Sequence, residues 1–293
     1  MELEMDKEGP KGGKPAAPGR TSLYQPAVAL QFFKAHGKPE DVAAGKAIFV
    51  ENEGAANIFS SGSKMYLLLD GDVTLSIARK EIGSVGKGEI FGEMASISHL
   101  PRSATATAKT ACKVYALDEK QFLGAIEKSP EFALMLMSIM ISRLRETGSN
   151  LSNGGKLSEK DKWNRAAVFD KKLMADIERQ FEDRPASLHP LNKVILKEGD
   201  KGVFMYVVLE GVVAISINEK VVEKIGPGGV FGEMALVDQS ARVATAVAET
   251  DCTMLSINRN DFMSLVKTKP AFALSLLKAL SERLRFMTAK YKQ

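Results

Sequence analysis

Two short segments of this chain carry residues whose types and spacing suit a defined chemistry. Gly92-Glu93-Met94-Ala95 is followed, nine residues after the glutamate, by Arg102-Ser103, and the arrangement recurs as Gly232-Glu233-Met234-Ala235 with Arg242-Val243. Gly92 and Gly232 have no side chain, so the backbone there can approach a ligand closely. The residues that follow each glycine are expected to open a short helical turn whose free N–H groups favour an anion. An arginine returning to the same pocket can hold a phosphate through its planar fork. A carboxylate beside it does not bind phosphate, but it accepts hydrogen bonds from hydroxyls. One Glu and one Arg together suit a sugar bearing a single phosphate charge. The plainer reading is a structural ion pair, and finding the set twice in matched surroundings weighs against it.

The surroundings match because the chain is a tandem repeat. A shift of 140 residues aligns Met65 with Met205 and runs without a gap to Arg145 and Arg285. Upstream the shift becomes 147, pairing Glu51 with Glu198, so the first copy carries an insertion within GAANIFSSGSK. Within each copy, Val73, Leu75, Ile77 and Val213, Ile215, Ile217 alternate with smaller or polar residues, the period of half-buried strands. Glycines punctuate these runs as tight turns require. After Leu117 and Ile257 the spacing becomes helical, and Pro130 marks a break between two helices. Each unit is therefore read as a β-roll followed by two helices. Pro26–Lys34 is read as a helix leading into the first copy, and Trp163–Phe181 as a helix leading into the second.

Composition excludes several other classes. The chain has 293 residues, 45% hydrophobic and 26% charged, an ordinary globular balance for two domains. Its two cysteines, Cys112 and Cys252, make neither a disulfide scaffold nor a multi-cysteine zinc site and are read as buried small hydrophobes. Its three histidines are far apart, with no metal-binding spacing. A net charge of +4 is too mild to announce a nucleic-acid binder. The run Phe132–Ile141 falls well short of the roughly 20 residues that span a bilayer. Its methionines (Met135, Met137, Met140) are read as core, with the exposed side a potential dimer seam. A soluble, cytoplasmic protein without a membrane segment is expected. No nucleophile–base pair points to an enzyme.

The pattern FGEMA followed by Pro101-Arg102-Ser103-Ala104-Thr105 resembles the phosphate-binding cassette of cyclic-nucleotide-binding domains, as in the catabolite activator family and the regulatory subunits of cyclic-nucleotide-dependent kinases. Thr107–Leu117 is similar to the strand that follows that cassette. The resemblance covers roughly residues 24–146 and 164–286. It implies an α+β fold of two tandem β-roll, jelly-roll-like domains, each flanked by helices. It further implies that Glu93 and Glu233 bind a ribose 2′-hydroxyl, that Arg102 and Arg242 pair with the cyclic phosphate, and that backbone N–H groups of Gly92–Ala95 and Gly232–Ala235 cradle its oxygens. The ligand expected is cAMP, with cGMP or another cyclic nucleotide as the alternative and no further cofactor. Ser103 offers a hydroxyl to phosphate or a guanine edge. Val243 lacks that hydrogen bond, worth about 1 kcal/mol, so the second site is expected to prefer cAMP or to bind more weakly.

The domain reading is a flexible tail at 1–22, a first domain at 23–146, a Gly/Ser/Asn-rich linker at 147–162 and a second domain at 163–293. No helix-turn-helix follows the last helix, so direct DNA binding is not expected. The basic residues of 278–292 are read as favourable charge at a helix C-terminus. Output is expected to run through an unidentified protein effector or through homodimerisation. The competing reading is an interaction module that kept the fold and lost one or both ligands.

Overall fold

The computed structural model describes residues 24–54, 63–153, 163–164 and 167–289. The tail at 1–22 lies outside the described residues, as do most of the inserted loop and the part of the linker from 154 to 162.

The first copy opens with α1 (Pro26–His36), started by a proline whose missing N–H costs a first turn nothing. Eight strands follow: β1 (Lys38–Val42), β2 (Ala47–Phe49), β3 (Met65–Asp70), β4 (Val73–Ile77), β5 (Lys80–Val85), β6 (Ile90–Phe91), β7 (Thr105–Ala108) and β8 (Cys112–Leu117). They form two antiparallel sheets, in the orders β1-β8-β3-β6 and β2-β7-β4-β5. The short helix α2 (Glu93–Ser98) interrupts the roll between β6 and β7. Then come α3 (Glu119–Ile126), held at its start by a reciprocal Asp118–Gln121 capping box, and α4 (Pro130–Asn153).

The second copy repeats this plan. Its elements are β9 (Trp163–Asn164), α5 (Lys171–Gln180), β10 (Ser187–His189), β11 (Val194–Leu196), β12 (Phe204–Glu210), β13 (Val213–Ile217), β14 (Lys220–Ile225), β15 (Val230–Phe231), α6 (Glu233–Asp238), β16 (Thr245–Ala248), β17 (Cys252–Asn258), α7 (Arg259–Thr268) and α8 (Pro270–Ala289). Its sheets run β10-β17-β12-β15 and β11-β16-β13-β14-β9, the last pairing parallel. The tandem α+β arrangement read from the sequence is the one observed.

Two local readings need correction. The segment Trp163–Phe181 is not one helix: Trp163–Asn164 is a short strand beside β14, and α5 begins only at Lys171, capped by Asp170. Nor does helix stop at 146, because α4 continues through Gly148 to Asn153 into the stretch read as linker. Packing holds that last part, since Thr147 is buried and Met287 of α8 stands close over Gly148. Tertiary contact there outweighs poor local helix propensity.

The apolar interior of each roll is a separate cluster, around Phe49, Tyr66 and Phe91 in one copy and Val208, Phe231 and Met254 in the other. A third cluster spans both copies through α4 and α8. In it Phe32 of α1 stacks on Phe132 at 3.6 Å, and Phe169 stacks on Phe272 at 5.2 Å. Each such ring contributes about 1.5–3 kcal/mol by burial. Met135, Met137 and Met140 are buried here, and the helix that carries them packs on α8 of the same chain. The packing is reciprocal. Helix α4 lies against α6 of the second copy, and α8 lies against α2 of the first.

Candidate ligand site

Gly92 and Gly232 each end a two-residue strand and cap a six-residue helix in the left-handed region, at φ 74° and φ 81°. A side chain is excluded twice over. A Cβ on Gly92 would stand 3.0 Å from Arg102 Nη1, and one on Gly232 would stand 2.8 Å from Arg242 Nη1. The sequence needs glycine at these points to let the arginine return under the turn.

That return is the centre of the site. Arg102 donates from Nη1 to the Gly92 carbonyl at 2.8 Å and from Nη2 to the Lys64 carbonyl at 2.7 Å. Arg242 donates from Nη1 to the Gly232 carbonyl at 2.7 Å and from Nη2 to the Phe204 carbonyl at 2.5 Å. Both arginines are buried, at 5% and 7% exposure. Arg102 also lies over the Phe49 ring, 4.1 Å from its centroid, where the second copy has Leu196. Burial pulls both guanidinium groups below the ordinary arginine range, and nearby Tyr66 and Tyr206 oppose the effect. Among the described residues, no carboxylate comes within ion-pair distance of either arginine. The structural Glu–Arg pair that the spacing allowed is thus absent.

The glutamates are paired elsewhere. Glu93 accepts from Arg143 Nη1 at 2.5 Å, and Glu233 accepts from Arg283 Nη1 at 2.6 Å. Both carboxylates are almost fully buried, and each partner comes from the long helix that follows its own roll. A carboxylate has more lone pairs than one guanidinium N–H uses, so it can also accept from hydroxyls. In the second copy Arg283 also faces Glu223, with Nε 3.3 Å from Oε2. Burial alone would lower Arg283, but the two carboxylates more than offset it and hold its pKa above the usual value.

Met94 holds its place through its carbonyl, which accepts from Ser98 at 2.7 Å and from Ser281 of α8 at 3.0 Å. Ser103 places its hydroxyl 3.8 Å from the Met94 sulfur. Ala95 and Ala235 are buried in the first turns of α2 and α6. His99 pairs with Glu119 at the surface. In the second copy a cavity of about 330 Å³ gathers Gly232, Glu233, Met234, Ala235, Arg242 and Val243, a size at the lower end of small-molecule sites.

Sequence reading missed two features of this cavity. One is the second-copy set of Arg283 and Glu223. The repeat held part of the signal, since Arg143-Leu144-Arg145 recurs as Arg283-Leu284-Arg285. The other is a wall supplied by the first copy, with Leu144, Arg145, Gly148 and Ser149 of α4. Arg283 lines this cavity, and Nε and Nη2 of Arg285 are buried, so these two do not form a basic outer face. Among the described residues no cluster of His, Cys, Asp and Glu could hold a metal ion, and no helix is long and apolar enough to cross a membrane.

Solved structures resemble the chain at low identity. The regulatory domain of Toxoplasma gondii protein kinase A with cAMP is 21% identical over 81% of this chain and 85% of its own, with a TM-score of 0.30. The regulatory subunit of a cAMP-independent protein kinase A from Trypanosoma brucei is 19% identical over 92% of this chain and 91% of its own, at 0.31. The Trypanosoma cruzi counterpart, bound to guanosine, is 16% identical over 80% of this chain and 76% of its own, at 0.29. The family profile named "Cyclic nucleotide-binding domain" matches residues 40–129 and 189–269, one match in each roll and each containing its cassette. The chain belongs to the cyclic-nucleotide-binding domain family and holds two copies of that domain in tandem.

Proposed function

We propose that the chain is a cAMP receptor with two sites, acting as a regulatory protein whose change of shape a protein partner reads. The observation that carries this reading is the pair of buried arginines, Arg102 and Arg242, each tied to backbone carbonyls and, among the described residues, each without a carboxylate at ion-pair distance. A buried cation in that state is costly unless an anion joins it. In this reading the cyclic phosphate is that anion, cradled by the Gly92–Ala95 and Gly232–Ala235 backbone, while Glu93 and Glu233 take the ribose 2′-hydroxyl. Ser103 and Val243 flank the arginines and adjust affinity between the sites. The domain limits that go with this reading are 23–146 and 163–293.

The partner's signal arises at the helices. Arg143 and Arg283 connect each ribose-binding glutamate directly to α4 and α8, so a ligand that competes for those carboxylates shifts the helices through differential affinity. Calorimetry of the full chain with cAMP and cGMP tests the proposal. Two sites with cAMP, at lower affinity for cGMP, are expected. No heat and no rise in melting temperature with either nucleotide would remove the receptor reading in favour of a ligand-free interaction module.

A further inference from the structure

The two sites are built from corresponding arginines but not from corresponding acids. In the second copy, Arg145 of α4 grips Asp238 bidentately, with Nε at 2.6 Å from Oδ2 and Nη2 at 3.0 Å from Oδ1, and gives Nη1 to the Ala241 carbonyl at 2.9 Å. Its counterpart by the 140-residue shift is Arg285 of α8. Ser281, one turn earlier on the same face of α8, reaches the first cassette at the Met94 carbonyl. The residue corresponding to Asp238 is Ser98, whose hydroxyl closes on its own helix. Nε and Nη2 of Arg285, the same two atoms that hold Asp238 in the other copy, are buried with no hydrogen-bond partner among the described residues. Burial lowers the Arg285 pKa, and no neighbouring acid opposes it.

A second difference has the same sign. Arg283 lies between Glu223 and Glu233, whereas Arg143 has Glu93, and the position of Glu223 is held by Gly83. At corresponding positions the second copy has Glu223 and Asp238 where the first has Gly83 and Ser98, whereas Glu51, Glu53 and Glu93 of the first are matched by Glu198, Asp200 and Glu233. The hairpin tip agrees, with Arg79 where the second copy has Glu219. Glu89 caps its own turn at the Gly86 N–H, and its counterpart Gly229 does not line the second cavity.

We propose that Arg285, reaching across from the second copy, is an electrostatic determinant of the first site, so that this site binds the anionic phosphate more tightly, and with a steeper dependence on ionic strength, than the second site, where Asp238 takes up the corresponding guanidinium. The surplus guanidinium lies in a partly dry setting, where a charge acts on a ligand anion more strongly than it would in water. Salt screens that attraction. The inference rests on the receptor reading given above and names which site, and which residue of the other copy, sets its strength.

The test is calorimetry of the full chain with cAMP at about 0.05 and 0.5 M salt. Arg242→Ala isolates the first site and Arg102→Ala isolates the second. The first site is expected to lose more affinity with salt than the second. In the Arg242→Ala background, Arg285→Gln lowers first-site affinity about tenfold at low salt and flattens its salt dependence. Ser98→Asp does the same while keeping the arginine in place, so a folding defect in one variant does not decide the matter. In the Arg102→Ala background, Asp238→Ser steepens the salt dependence of the second site. Equal salt slopes at the two sites, or a first site indifferent to both Arg285→Gln and Ser98→Asp, overturns the role of Arg285 and leaves the receptor reading standing. Absence of cAMP binding to the unaltered chain overturns both.

Discussion

Gly202 lies against the guanidinium of Arg242 so closely that a Cβ there would stand 2.2 Å from Cζ. The Arg242 guanidinium is thus held from three directions: the Gly232 carbonyl, the Phe204 carbonyl and the Gly202 backbone. Gly202→Ala is expected to displace the guanidinium. Overpacking of this kind costs about 1–3 kcal/mol of stability, and cAMP binding at the second site should weaken at least tenfold with the first site unchanged. Two-site calorimetry with a denaturant titration checks both effects.

The fork of Arg102 spans two carbonyls, of Gly92 and Lys64, that one ammonium cannot reach in the same geometry. Arg102→Lys therefore keeps the charge and loses the fit. Affinity at the first site is expected to fall by one to two orders of magnitude, about 1.4–2.8 kcal/mol. A lysine variant that bound cAMP as tightly as the arginine would show that charge alone suffices.

The Glu223–Arg283–Glu233 set is the densest buried charge in the second copy. Glu223→Gln leaves Arg283 with one carboxylate. Removing one partner of a buried pair costs about 3–5 kcal/mol, and since Glu233 remains, the expected loss is nearer about 2 kcal/mol. Urea unfolding measures it. The converse change, Gly83→Glu, enters open space and should leave the melting temperature of the apo chain at or above its starting value.

Acid stability has an assignable contributor in His189. Burial and then Lys193 lower its pKa below the ordinary histidine value, while Nε2 lies 2.9 Å from Ser187 Oγ. The fold favours the neutral ring, so the unfolded chain takes up the proton first as pH falls through about 6.5. The contribution is complete above that pH and is lost below it, as pH falls toward the depressed folded value. The difference in melting temperature between the wild type and His189→Gln should therefore shrink or reverse from pH 7.5 to pH 5. A difference independent of pH would remove His189 from the acid response.

Much of this architecture is legible in the residues themselves. Alternation at Val73–Ile77 and Val213–Ile217, glycines at the turns and a proline before each long helix suffice for the rolls and their helices, because those signals are local. The cassette is legible for the same reason, since its glycine, glutamate and arginine lie within a dozen residues. What stayed hidden depends on contacts distant in sequence. Gly148, Ser149 and Asn150 look like a linker, and α4 runs through them on the strength of its packing against α8. Apolar spacing on α4 and α8 says that a face is buried but not that it covers the other copy's cassette. Arg143 and Arg283 read as helix-surface charge until the fold brings them to Glu93 and Glu233.

The crossing of α4 and α8 has a consequence for how the two halves can differ. Two identical subunits that covered each other's sites would carry every substitution in both sites at once. Here each wall and each cassette is written separately along one chain, so Asp238 can hold Arg145 while the corresponding pair is Ser98 and Arg285. Joining the copies end to end lets a nearly symmetric shape hold two cassettes with unlike walls, and the cavity of the second copy takes part of its wall from the first.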